Sequence, residues 1–128
     1  MANQKKDFKK RFNQVWNPIK GENEVIIMLS NNQIPPKYLY EIYRQACLSS
    51  IKNLIALMKE LSKIPNLLTN EINAKSNSIL SCLKLLHEGN RQAIGLRQAI
   101  RNQLTEIVVI LKNKDDLFSK VSSQFEYA

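Results

Sequence analysis

Few residues in this chain could do acid–base, nucleophilic or metal chemistry. There is one histidine, His87, and there are two cysteines, Cys47 and Cys82. There is no CxxC, and no His or Cys pair has the spacing of a zinc site. A diiron bundle needs Glu-x-x-His motifs on facing helices, and the residue three before His87 is Lys84. Cys82 and His87 are five apart, which on a helix puts them on different faces and argues against a thiol–imidazole pair. Glycine-rich phosphate loops of the GxGxxG or GxxxxGKS/T type are absent. A helical ribonuclease of the Arg-x4–6-His kind would need an arginine shortly before His87, where only Lys84 is basic. A phosphotransfer histidine would sit mid-helix among small neighbours, whereas His87 adjoins Glu88 and Gly89. His87 reads instead as a capping or surface residue near a helix C-terminus, where the helix dipole favours it. The cysteines read as reduced core residues of a cytoplasmic protein, with a disulfide possible but not required. The expectation is a protein that is not an enzyme, with no catalytic residue, no metal, no cofactor and no small-molecule substrate.

The remaining chemistry is positive charge. The 128 residues carry 19 Lys and Arg against 11 Asp and Glu, a net charge of +8. Such an excess favours acidic partners: nucleic acid, a membrane surface or an acidic protein. The first eleven residues are charged and have no apolar stretch behind them, so they do not read as a secretory signal. No apolar run reaches the length of a membrane span.

The elements that position the charge are helical throughout. With three glycines and four prolines there is little turn chemistry for a many-stranded sheet. The spacing predicts a basic amphipathic helix over 4–16, with Phe8, Phe12, Val15 and Trp16 on one face, ended by Asn17-Pro18. A second short helix is expected over 22–30, with a buried strand as the alternative for its apolar run. Pro35-Pro36 starts the main helix, expected over about 36–63 with an apolar face of Leu39, Ile42, Tyr43, Ala46, Leu54, Leu57 and Leu61. Ile64-Pro65-Asn66 stops it. A helix over about 67–88 turns Leu68, Ile72, Ile79, Leu83 and Leu86 inward, and Gly89 supplies a left-handed C′ position. A third long helix over about 91–112 buries Ala93, Leu96, Ile100, Leu104, Ile107 and Leu111. A last short helix is expected over 115–125, docking through Leu117, Phe118, Val121 and Phe125. Short connections force antiparallel neighbours, so the fold expected is a single all-α domain: an antiparallel bundle of three long helices with short N- and C-terminal helices.

On this frame the cations fall into stripes. Lys37, Arg44, Lys52, Lys59 and Lys63 lie within roughly a 100° arc of the main helix, opposite its apolar face. On the third long helix Arg97, Arg101 and Lys112 share a narrow arc with Asn90, flanked by Arg91, Gln98 and Asn102. Lys5, Lys9 and Arg11 extend the charge onto the N-terminal helix. Several Lys and Arg on a rigid line, with Asn, Gln and Ser beside them, suit a phosphate backbone. The alternative is an ordinary solvated face. A face of that kind usually mixes charge signs. Tyr40, Leu48, Ile51, Ile55 and Met58 make the main helix apolar on more than one side, which suggests a central position or a protein partner. Tyr38, Tyr40 and Tyr43 would suit packing, an interface or base stacking.

In size, charge and helix layout the chain resembles the small helical subunits of CRISPR effector complexes. It is also similar in plan to the accessory variability proteins of diversity-generating retroelements. The first resemblance implies a non-catalytic subunit lining a nucleic-acid channel; the second implies ring assembly and RNA binding. No motif carries either, so neither transfers a functional residue. Together the readings predict a nucleic-acid-binding accessory subunit of a larger ribonucleoprotein, contacting RNA or single-stranded DNA, with other protein subunits or self-association and no membrane. The alternative is a helical adaptor or self-associating module.

Overall fold

The computed structural model describes residues 2–20, 23–63 and 69–112, with the side chains of 2–9, Asn23 and Lys112 left aside. Its elements are α1 (Ala2–Lys20), α2 (Asn23–Ser30), α3 (Lys37–Ser62), α4 (Asn70–His87) and α5 (Ala93–Lys112). The protein is an all-α bundle, and no strand occurs among the described residues. The apolar run at 25–29 is therefore helical. The expected helix over 115–125 and the inward Leu68 lie outside the described residues.

α3 packs on α1 and α4, and α5 packs on the same two helices. Around the bundle the order is thus α3, α4, α5, α1, with α3 diagonal to α5 and α1 diagonal to α4. Successive contacts fix the directions. Arg11 of α1 pairs with Glu60 of α3, while Gln14 is bonded from Asn53, so α1 and α3 are antiparallel. Tyr43 reaches Leu86 and Arg44 reaches His87, which sets α3 against α4. Lys75 of α4 meets Glu106 of α5. α2 packs on α5 and α3.

The core follows helical periodicity. Ile72, Ile79, Leu83 and Leu86 of α4 are fully buried, as are Ala93, Ile100, Ile107 and Leu111 of α5, with Leu104 nearly so. Leu96 is only half-buried. On α3 the buried line is Tyr43, Cys47, Ser50, Leu54, Leu57 and Leu61. This corrects the expected α3 face: Ile42 is 52% exposed, and Leu39 and Ala46 are half-buried. The line runs through Cys47 and Ser50 because α1 and α4 approach α3 from that side, and small residues there let the helices come close. The Tyr43 hydroxyl donates to the Leu86 carbonyl oxygen at 2.8 Å. Burial, and then the neighbouring Cys47, push the Tyr43 phenol well above its usual range, so it stays a proton donor.

The largest correction concerns the end of α1. The helix does not stop at Asn17 but continues through Pro18 to Lys20. A proline inside a helix leaves the carbonyl four residues earlier without its usual donor. Here that carbonyl belongs to Gln14, and the Asn53 side-chain amide of α3 donates to it at 3.0 Å. Ile19 is then fully buried, which gives the extra turn a packing reason.

The helix ends are locally specified. The Thr69 hydroxyl accepts from the Ile72 amide at 3.3 Å and caps α4, so this helix begins after Thr69 rather than at Leu67. At its other end Gly89 adopts φ 78°. The Gly89 amide donates to the Leu86 carbonyl at 3.0 Å and the Asn90 amide to Leu85 at 3.2 Å, a Schellman ending. Residues 91 and 92 form a turn, and α5 begins at Ala93 rather than Arg91. α2 ends in the same way through Asn32 at φ 59°, where asparagine tolerates the left-handed region.

Candidate nucleic-acid interface

The antiparallel bundle sorts the basic residues by face. On α3, Lys37, Lys52 and Lys59 are exposed, as is Lys63 at its C-cap, while Arg44 is half-buried. Arg44 lies 3.8 Å from Glu41 and its Nη2 is 3.3 Å from Nε2 of His87. On the α5 side Arg91 and Arg101 are exposed. Lys112 closes α5 and Lys5 and Lys9 belong to α1, but their side chains lie outside the described part. Because α3 and α5 are diagonal, their stripes face away from each other and do not form one surface.

α1 lies between them. Its outer side presents Lys10, Asn13, Gln14, Asn17 and Lys20, all exposed, at spacings of three and four that keep them on one face. Lys59 of α3 and Lys63 at its C-cap bracket Glu60, the residue that pairs with Arg11 of α1. Arg101 lies on the other flank, in the groove that α5 makes with α1. The structure thus brings Lys10, Lys20, Lys59, Lys63 and Arg101 toward one side of the bundle. The diagonal side is different. α4 carries Lys75 and Lys84 against Glu71, and Lys75 is bonded to Glu106 at 2.7 Å. α1 carries Lys5, Lys6, Lys9, Lys10, Arg11 and Lys20 against Asp7.

Two of the arginines take part in the fold itself. Arg97 is half-buried; its guanidinium donates to the Lys20 carbonyl at the end of α1 and lies 5.4 Å from the centre of the Trp16 ring. A backbone carbonyl at a helix C-terminus is a favourable partner for a cation. Arg11 is tied to Glu60. Both residues contribute positive potential, but their geometry is set by intramolecular contacts. Sequence reasoning gave little weight to Lys10 and missed Lys20, because ending α1 at Pro18 removed Lys20 from any helical face.

The tyrosines divide in the same manner. Tyr43 is buried and Tyr40 packs on it, with ring centres 6.1 Å apart. Tyr38 is 68% exposed. Neither cysteine is in a disulfide; Cys47 is buried and Cys82 half-buried. Among the described residues no three His, Cys, Asp or Glu side chains are grouped to hold a metal ion. No described helix is long and apolar enough to cross a membrane. Comparison of the chain with known protein families, curated proteins and solved structures gives no match.

Proposed function

We propose that this protein is a non-catalytic nucleic-acid-binding subunit, contacting the phosphate backbone of RNA or single-stranded DNA through a face centred on α1. The observation that carries this reading is the unequal division of charge between diagonal helices. A basic composition alone would spread over the whole surface. Here the α1 side holds exposed cations interleaved with Asn and Gln, while α4 carries only Lys75 and Lys84 against Glu71, with Lys75 already paired to Glu106. Lysines and arginines on rigid helices, with amide donors between them, fit a chain of phosphates and carry no base specificity. The role within a larger ribonucleoprotein rests on the small size of the domain and on its exposed apolar residues, which suit contacts with other subunits.

The test is the binding of fluorescent single-stranded RNA and DNA, followed by anisotropy across salt concentrations. Binding that weakens steeply with salt supports the reading. Absent binding at low salt, or binding indifferent to salt, overturns it. A second reading, a helical adaptor, is favoured by Tyr38, Ile42, Leu48 and Ile55 on the exposed side of α3, each at least 41% exposed. It predicts a stable protein complex that survives nuclease treatment.

A further inference from the structure

α1 and α5 do not close against each other along their whole length. Between them the described residues leave an open groove of about 420 Å³. Phe12 and Leu104 are buried at its floor, Trp16 is half-buried on its wall, and Asn13, Arg101 and Thr105 are exposed at its rim. Its size is that of a small-molecule site, for which ~300–1,000 Å³ is usual. Arg101 is the one cation among the described residues that line it. The groove is thus an aromatic slot with a polar rim, not a track for several phosphates.

We propose that this groove takes one unpaired nucleobase, laid against the Trp16 ring, from a single strand whose phosphates follow the outer line of α1. The proposal rests on the nucleic-acid reading above and adds to it a site for the base. Three observations point to that occupant. The first is continuity. Asn13 belongs both to the groove and to the outer line of α1, three residues from Lys10 and four from Asn17. A strand held along Lys10, Asn17 and Lys20 passes the mouth of the groove, within reach of a base turned inward.

The second is the state of the ring. Arg97 donates to the Lys20 carbonyl oxygen and lies 5.4 Å from the centre of the Trp16 ring. Arg97 is not among the residues lining the groove, so the ring surface turned into the groove is a different one. A ring fixed in this way loses little freedom when a base stacks on it. Stacking on an aromatic side chain is open to every base, since each has a π-face.

The third is the chemistry of the rim. A base carries donors and acceptors on its edge, and its phosphate is one sugar away. Asn13 offers a carboxamide, which can donate and accept. The Thr105 hydroxyl donates to the Arg101 carbonyl oxygen at 2.9 Å and keeps its lone pairs for a donor. Arg101 supplies a single guanidinium, enough for the one phosphate beside the base. An acidic peptide would need several cations here, and a purely apolar segment would make no use of the polar rim. A base in a duplex is already paired and stacked, so the groove favours single strands.

Trp16, the single tryptophan of the chain, lines the groove and reports its occupancy. The full chain is titrated at matched salt with a short oligothymidylate, and with an oligomer of the same length in which abasic sites replace the nucleotides. Both present the same phosphates, so both are expected to bind with the same salt slope. Only the oligothymidylate should quench Trp16 emission, and it should bind about tenfold more tightly, as one stacked base provides. Equal affinities, or equal effects on Trp16 emission, overturn the base site while leaving the phosphate face standing. Absence of binding by either oligomer at low salt overturns the nucleic-acid reading, and the base site falls with it. Followed by anisotropy, Trp16→Leu should lose the preference for the oligothymidylate and keep the salt slope. A preference that survives this substitution also overturns the proposal. If Trp16→Leu loses helical circular dichroism, the two oligomers on the unsubstituted protein decide alone.

Discussion

Replacing Lys10 and Lys20 with alanine tests which face of the bundle meets phosphate. Both are exposed on α1, and among the described residues neither ammonium is held in an ion pair. Alanine is the best helix former, so α1 should persist. Among the described residues the exposed cations on the α1 side are Lys10, Lys20, Lys59, Lys63 and Arg101. If each neutralises one phosphate of a single strand at ~0.7 per contact, log K should fall with log salt at a slope of about −3.5. Raising salt from about 50 to about 200 mM then weakens binding about 100-fold. Removing two of the five contacts lowers the slope to about −2 and the loss to about 20-fold. The matched control is Lys84→Glu on α4, which changes net charge by the same amount on the diagonal side. At moderate salt the Debye length of ~8–10 Å screens that site from the α1 face, so its slope should stay near that of the unsubstituted protein. The assay is anisotropy with labelled single-stranded RNA and DNA at several salt concentrations. Equal loss of slope in both variants would refute the argument, because bulk charge rather than a face would then govern binding.

The fold yields three further expectations. Gly89→Ala places a methyl group 2.5 Å from the Tyr40 hydroxyl at φ 78°, so it should cost ~1–2 kcal/mol for the left-handed backbone and more for the overlap; in a Tyr40→Phe background only the backbone part should remain, and urea unfolding of the four proteins measures the difference. Ser50→Ala should raise stability by about 1 kcal/mol, since the Ser50 hydroxyl is buried without a hydrogen-bond partner and alanine favours the helix; a lower urea midpoint would contradict this. Burial raises the Cys82 thiol above its usual pKa, so its thiolate forms, and alkylation accelerates, only at higher pH than for a free thiol; Cys47, fully buried, should react more slowly still, and peptide mass spectrometry that finds Cys47 modified first would contradict the packing.

The helices were legible because periodicity is a local signal. The buried residues of α4 and α5 stand where an apolar residue every three or four positions demands. Gly89 marks the end of α4 because a Schellman ending needs a left-handed residue. The course of α1 past Pro18 was not legible. The local rule that proline ends a helix holds only while the freed carbonyl has no other donor, and the donor here, Asn53, is distant in sequence from Gln14. The α3 face was misjudged at Ile42 for a related reason. Side-chain hydrophobicity favours burying isoleucine, but the direction from which α1 and α4 approach α3 decides the buried line.

The same long-range geometry determines what the charge can do. Each basic stripe was visible along its own helix, because a stripe needs only the helical repeat. Whether two stripes make one surface depends on which helices are diagonal, and that is set by pairings such as Tyr43 with Leu86 and Lys75 with Glu106. Those pairings put the α3 and α5 stripes on opposite corners and leave α1 as the element able to join their near edges. Asn53 therefore has a role beyond stability. By supporting α1 through Pro18 it holds Lys20 on the same helical face as Lys10 and gives Arg97 a carbonyl to grip. A shorter α1 would bury less, through the loss of Ile19, and would also remove Lys20 from the end of the basic face.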